Sequence, residues 1–326
     1  MIEIQDLFKY YGQRRAVGPV SATIEKGQVV GLLGLNGAGK TTTLRVLACD
    51  LLPSSGTVRV QGVDVVERPE EVRRRIGYLP DTPPLYDEMR VGEYLQYAFE
   101  LRGKPAKEGK KRVAEVADRT GLTQVIADPL FSLSHGYRQR VGIAQAIVHN
   151  PDLVVLDEPI SGLDPMQIVE MRSLVRQLRE DHTVIVSSHI LSEISETCDR
   201  LLVIRDGIIV ASGTEDELSQ QLLEGVHIEL SLHLDDANIA KVLQLLGSLP
   251  GVSKAKTIVQ REAGERVKSF SVHALKDVRE DLGARLYEAG FRLLALDRTE
   301  SELEDVFLKL AEGKGNGAER AVEGKS

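Results

Sequence analysis

No stretch of the 326-residue chain reaches the ~18 apolar residues of a membrane-spanning helix, so a helical span within it is excluded. The N-terminus, MIEIQDLFKYYG, lacks the basic-then-apolar pattern of a secretory leader, and a cytoplasmic location is expected. Cysteine is scarce. Cys49 and Cys198 lie far apart without metal-ligand neighbours, which points to a reducing compartment and plain packing roles. Positive charge is in deficit, 41 basic against 49 acidic residues, and the net −8 argues against broad, salt-driven nucleic-acid binding. No nucleic-acid partner is expected. What remains, 42% apolar and 28% charged residues, is the composition of a soluble globular protein. At roughly 150 residues per domain the length suggests two domains.

Against this background one stretch organises the rest: GLNGAGKTTTLRVL, Gly34 to Leu47, preceded by the apolar run Val29 to Leu33. Strand, glycine-rich turn and helix start follow one another, and the spacing G-x-x-x-x-G-K-[ST] is met by Gly34, Gly39, Lys40 and Thr41. Glycines let successive amide N–H groups, here from Asn36, Gly37, Ala38 and Gly39 to Thr42, converge on phosphate oxygens at the positive end of the following helix. Lys40 is then placed to neutralise the terminal phosphates and the Thr41 hydroxyl to hold Mg²⁺. Such a loop implies a nucleoside triphosphate.

Ahead of the loop, Ile2 and Ile4 alternate with polar residues and a second alternating run covers Val17 to Ile24, so the chain starts β-rich. Between these runs sits Tyr11, either a stacking surface for a nucleobase or ordinary filler. Thr42 to Leu52 reads as a helix ended by Pro53, and Ser54-Ser55-Gly56 turns into a strand, Thr57 to Val60. IGYLPDTPPLYDEM runs from strand residues into a proline-interrupted loop, a surface suited to a partner. From Val91 to about Val148 the pattern is helical, a subdomain (about 85–148) inserted in an α/β core. Its basic stretch Arg102 to Arg112 reads as solvated loop, with anionic lipid as the alternative contact.

LSHGYRQRVGIAQAI then gives a polar loop feeding a helix from near Ser134, and LVVLDEP, Leu153 to Pro159, reads as a buried strand ending in two acids. Ligands of open α/β sheets bind at the carboxyl ends of strands. Asp157 can therefore hold the water shell of Mg²⁺, while Glu158, pointing the other way along a strand of period two, faces an attacking water. In isolation the same pair reads as acids capping a strand before a turn. His189, just past the run Thr183 to Ser187, is on the same sheet edge and can donate to a phosphate oxygen, or serve structurally. Asp206-Gly207, between Arg200–Ile204 and Ile208–Gly213, is a strong hairpin signal.

After a helix over Glu215 to Leu223 the boundary is expected at Gly225, giving domains 1–224 and 225–312. Ile228, Leu230, Leu232 and Leu234 share one face of a strand. The order β-α-β-β-α-β, with a turn over Glu262 to Gly264, suggests an α+β, ferredoxin-like sandwich. Ser301 to Leu310 reads as an amphipathic helix with a Ser301/Glu304 capping box, and 313–326 as a disordered tail.

Taken in order, the loop at Gly34 to Thr42, LSHGY at Leu133 to Tyr137, LDEP at Leu156 to Pro159, SGLD at Ser161 to Asp164 and His189 resemble the ABC transporter nucleotide-binding subunit. Specifically, they are similar to exporter-type ATPases paired with ABC-2-class permeases, including the gliding-motility-like branch; TESELEDVFLKL resembles the end of an accessory domain appended there. The resemblance implies a P-loop NTPase fold with an antiparallel β subdomain and a helical subdomain, ATP and Mg²⁺ as ligands, and Glu158 and His189 as catalytic residues. Thr41, Asp81 and Asp157 are the implied metal-side residues. It also implies a homodimer, or a pseudo-dimer with a paralogous ATPase subunit, in which Ser134, Gly136 and Asp164 of one copy meet the nucleotide of the other. An ABC-2-type membrane permease is the implied partner, with the ATPase peripheral on the inner face of the cell membrane. A soluble ABC-type ATPase acting on a ribosomal or nucleic-acid partner, and an ATP-gated binding module without useful turnover, are the competing readings.

Four residues, at three places, depart from the family pattern. Asp81 stands where glutamine is usual, His135 and Tyr137 replace glycine and glutamine in the signature loop, and Ile160 replaces threonine after LDEP.

Overall fold

The computed structural model describes residues 1–222, 226–235, 238–258 and 267–299. Contacts divide the chain into two compact units, the first Met1–Glu215 and the second beginning at Asp216, ahead of the boundary expected at Gly225. In the first unit, β1 (Ile2–Tyr11) and β2 (Arg14–Ile24) pair antiparallel, with Ile2 opposite Ile24 and Ile4 opposite Ala22. The alternating apolar residues Ile2, Ile4, Val17 and Val20 are all buried. β3 (Val29–Leu33) leads through the glycine loop into α1 (Lys40–Leu47), followed by β4 (Ser55–Val60) and β5 (Val63–Asp64), which complete a four-stranded antiparallel sheet ordered β2-β1-β4-β5. Helix α1 is shorter than the expected Thr42 to Leu52. It ends because Cys49 turns left-handed (φ 57°), well before Pro53.

The chain continues through α2 (Pro69–Arg75) and β6 (Ile76–Leu79) to three helices, α3 (Val91–Leu101), α4 (Ala106–Arg119) and α5 (His135–Ile147). Next come β7 (Leu153–Leu156), α6 (Pro165–Leu178), β8 (Thr183–Ser188), the short α7 (Leu191–Ile194), β9 (Arg200–Arg205) and β10 (Ile208–Gly213). These strands and β3 form a six-stranded sheet ordered β10-β9-β3-β8-β7-β6, parallel except for the β9–β10 hairpin. Every residue of β3, β7 and β8 is buried, the signature of a sheet covered on both faces. Both central residues of the hairpin turn are left-handed, Asp206 at φ 50° and Gly207 at φ 80°, the conformation that Asp-Gly favours. Residues of both sheets, among them Leu7, Val58, Val30 and Val155, share one core cluster. Helix α5 lies so close on β6 that a Cβ at Gly77 would meet the Ala146 carbonyl oxygen at 1.9 Å.

After α8 (Glu215–Leu222), the second unit runs β11 (Val226–His233), α9 (Ile239–Gly247), β12 (Val252–Ile258), β13 (Val267–Ala274), α10 (Arg279–Glu288) and β14 (Arg292–Thr299). Its sheet is ordered β12-β13-β11-β14 with every neighbouring pair antiparallel. Ile228, Leu230, Leu232 and Leu234 are buried against Val242, Leu246, Leu282 and Leu286 of the helices, as the period-two pattern requires. The turn Glu262 to Gly264, the helix Ser301 to Leu310 and the tail 313–326 fall outside the described residues. Among the described residues no helix is long and apolar enough to cross a membrane.

Two buried histidines near the start of β7 make stability pH-dependent. The His149 ring donates from Nε2 to the Ile76 carbonyl at 3.1 Å while its Nδ1 is buried without a partner. Burial first, and then the positive charges of Arg102 and Lys104, pull its pKa from 6.5 to about 3. His182, donating from Nδ1 to Pro151, is shifted down in the same direction, chiefly by burial. Below pH 6.5 the unfolded chain takes up protons that the folded chain refuses, so stability falls as the pH is lowered. For His149 the loss at pH 5 is roughly 2 kcal/mol. Chemical unfolding at pH 7 and pH 5 should show this loss, and His149→Gln should reduce it; an equal loss in the variant would remove His149 as the cause.

Candidate functional site

The glycine loop owes its course to close backbone approaches. A Cβ at Gly34 would lie 2.5 Å from the Ile204 carbonyl oxygen, and one at Gly39, which has φ 107°, would lie 2.8 Å from that of Ala16. The hairpin turn is bonded to the same loop and to β2, Gly207 N donating to Ala38 O at 2.9 Å and Gly18 N to Gly207 O at 2.7 Å. Gly39 caps α1 with no side chain, and the first turn holds no acid, so its amides are left to an anion. Lys40, 5% exposed, folds back over the loop, donating to Gly34 O at 2.7 Å and lying 3.1 Å from Glu158 Oε1.

The acids follow a rule different from the one their spacing suggested. Strand β7 stops at Leu156, and Glu158 is left-handed at φ 51°. Strand alternation therefore does not aim Glu158; a backbone turn just past the strand end does. One hydroxyl fixes both acids: Ser187 donates to Asp157 Oδ1 at 2.6 Å and accepts from the Glu158 amide at 2.9 Å. Glu158 Oε2 accepts from His189 Nδ1 at 2.9 Å. Because a carboxylate only accepts here, Nδ1 carries the proton, and His189 Nε2 can donate to a phosphate only when the ring is protonated.

Asp157 is fully buried, and burial raises its pKa; hydrogen bonds from Ser187 and Thr41 oppose the rise, while the charges of Glu158 and Asp81 add to it. Its Oδ2 is buried without a hydrogen-bond partner. A buried carboxylate with one oxygen free beside a threonine hydroxyl is a donor set that fits a hydrated hard cation. Among the described residues no three acids, cysteines or histidines are grouped to hold a metal alone.

Lys40, Thr41, Glu158 and His189 face a cleft of about 950 Å³. Of the sequence-predicted residues, Asn36, Gly37, Gly39, Lys40, Thr41 and Thr42 line it from the loop, Asp81 and Glu158 from the strand ends, and Tyr11 and His189 from opposite sides. Gly34, Ala38 and Asp157 are off the lining; Ala38 is buried, and Asp157, also buried, belongs to a second hollow that shares Thr41 and Asp81 with the cleft. The Tyr11 ring is half exposed and carries the Lys9 ammonium 5.5 Å from its centre. Three predicted residues are elsewhere. Ser134 caps α5, accepting from Tyr137 N at 3.4 Å; Gly136 abuts Gln167; Asp164 caps α6, accepting from Gln167 N at 2.9 Å. The sequence reading missed Ser187, which only the pairing of β7 with β8 brings beside Asp157, and Arg14, Arg15, Ser161 and Asp206 on the cleft wall. Ile160 is 2% exposed, so a hydroxyl in its place would need a buried hydrogen-bond partner.

The model of the ABC transporter family matches residues 17–161. The chain is 41% identical over 224 residues to the ABC transporter ATP-binding protein NatA of Bacillus subtilis, covering 67% of this chain and 91% of that protein. It is 32% identical over 317 residues to the bacitracin transport ATP-binding protein BcrA of Enterococcus faecalis, covering 97% of each. Among solved structures, an ATP-binding subunit of an ABC transporter superposes with TM-score 0.62 at 30% identity, over 68% of this chain and 92% of that one. The dimeric structure of MJ0796, a bacterial ABC transporter cassette, gives 0.61 at 25%, over 66% and 98%. With the phosphate loop, Glu158 and His189 assembled on one cleft and Asp157 tied to Glu158 through Ser187, the chain belongs to the ABC transporter family as one of its ATP-binding, ATP-hydrolysing proteins.

Proposed function

We propose that two copies of this chain, or this chain and a paralogous ATPase subunit, close face to face around two ATP and drive export through a separate ABC-2-type permease. The observation that carries the catalytic part is the double tether of Glu158, Oε1 to Lys40 and Oε2 to His189. A triphosphate seated on the loop competes for the Lys40 ammonium and frees Oε1, so the carboxylate accepts a proton from water when nucleotide is in place. Thr41, Asp157 and, through water, Asp81 are the residues that would hold Mg²⁺, whose chemistry is to neutralise charge on the β- and γ-phosphates. Tyr11 is placed to stack on the base. Ser134, Gly136 and Asp164, being off the cleft of their own chain, complete the site of the other copy in this reading; the dimeric MJ0796 cassette supports it.

The names of BcrA, a bacitracin transport protein, and of the linearmycin resistance protein LnrL of Bacillus subtilis (30% identical) support the export branch. The strand order of the second unit supports reading it as a ferredoxin-like accessory domain. The location that follows is cytoplasmic, peripheral on the inner membrane face through the permease. Solubilisation of native-host membranes in detergent and purification on the ATPase should recover a membrane protein in stoichiometric amount. Recovery of the ATPase alone, with salt-sensitive binding to RNA or DNA instead, would overturn the transport reading in favour of a soluble nucleic-acid machine.

A further inference from the structure

One of the two departures in the signature loop, His135, is exposed yet bonded: its Nε2 lies 3.1 Å from the carbonyl oxygen of Ser161. A carbonyl only accepts, so the ring donates from Nε2. Ser161 itself lines the nucleotide cleft and is linked back to the catalytic acid by a backbone bond, Ser161 N to Glu158 O at 3.2 Å. The next residue is Gly162, at φ 74°, where a Cβ would come within 3.3 Å of the same His135 nitrogen. A second contact runs in parallel. A Cβ at Gly136 would lie 2.5 Å from Gln167 Oε1, and the backbone N–H of Gln167 donates to Asp164 Oδ1 at 2.9 Å. The first turn of α5 is thus pinned at two points to the segment 161–167, which begins on the wall of the cleft.

We propose that His135 is a positioning residue that couples the two nucleotide sites of the dimer. Its hydrogen bond makes the wall of a protomer's own cleft and the N-terminus of α5 move as one body, so that nucleotide-driven displacement of the strip from Glu158 to Ser161 repositions Ser134 and Gly136 at the other protomer's nucleotide. The inference rests on the two-protomer reading above. It gives a physical role to a histidine in place of the smaller glycine, which has no side chain to reach Ser161.

The test is the ATP dependence of hydrolysis by the full chain, in its complex with the permease, for wild type, His135→Gly and His135→Gln. With two sites the Hill coefficient has a ceiling of about two. Wild type is expected to exceed one clearly, His135→Gly to fall to about one with half-saturation shifted several-fold, and His135→Gln, whose amide N–H reaches a similar distance, to restore cooperativity. Thermal unfolding of all three confirms that the fold is intact. A cooperative wild type with an unchanged His135→Gly would overturn the coupling role alone, as would failure of the folded glutamine variant to restore what glycine loses. A wild type with a Hill coefficient of one that stays monomeric in ATP would overturn the two-protomer reading and this inference with it.

Discussion

Glu158→Gln should leave ATP affinity within a few-fold of wild type and lower phosphate release by roughly 10²- to 10⁴-fold, the range that a positioned general base contributes. The substitution keeps size and shape. The amide oxygen can still accept from His189 Nδ1, and the Ser187 bond to the backbone amide of residue 158 is untouched. What is lost is a carboxylate able to take a proton from water. Removing a negative charge that faces the terminal phosphates also relieves repulsion, so binding should hold or improve. Equilibrium binding of a fluorescent ATP analogue and single-turnover phosphate release separate the two quantities. Phosphate release within about threefold of wild type would exclude Glu158 as the base, and a parallel loss of binding would show that the residue acts through the shape of the loop.

Lys40→Ala is expected to fail one step earlier, with ATP binding roughly 10- to 150-fold weaker, the equivalent of about 1.5–3 kcal/mol for one charged hydrogen bond. The Lys40 ammonium already spans the two groups that matter, the Gly34 carbonyl and Glu158 Oε1. Taking it away leaves Glu158 uncompensated at 9% exposure, facing the same phosphates, so the loss should lie toward the upper end. Double substitution with Glu158→Gln removes that uncompensated charge and should recover part of the lost affinity, which a simple collapse of the loop would not allow. Calorimetric titration with ATP measures all three variants. Wild-type affinity in Lys40→Ala would contradict the assignment.

How far the site could be read from the chain depended on how local each part is. Gly34, Gly39, Lys40 and Thr41 are contiguous, and their roles follow from backbone freedom and helix polarity within a dozen residues. His189 was placed on the cleft by a rule about strand ends, which needs only that the runs be parallel strands of one sheet, as they are; the same rule put Asp157 at the end of β7, where it is off the cleft lining and bonded to Ser187. Glu158 was expected on the cleft too, for the wrong reason. Period two holds only while the backbone stays extended, and at φ 51° it does not. Helix α1 was overextended because its apolar residues continue to Leu52, whereas the left-handed turn at Cys49 ends it.

The motif series by itself determined the kind of chemistry and its ligands, since a glycine loop, a lysine and a strand-end acid have that meaning wherever they occur together. Only the tertiary structure decided who holds whom. Ser187 reaches both acids because β8 is next to β7; Asp206 joins the cleft because the hairpin packs under Gly39; His135 meets Ser161, 26 positions further along the chain. Each of these contacts is set by sheet order and close backbone approach. Those depend on how a whole core packs, and no short window of residues encodes them.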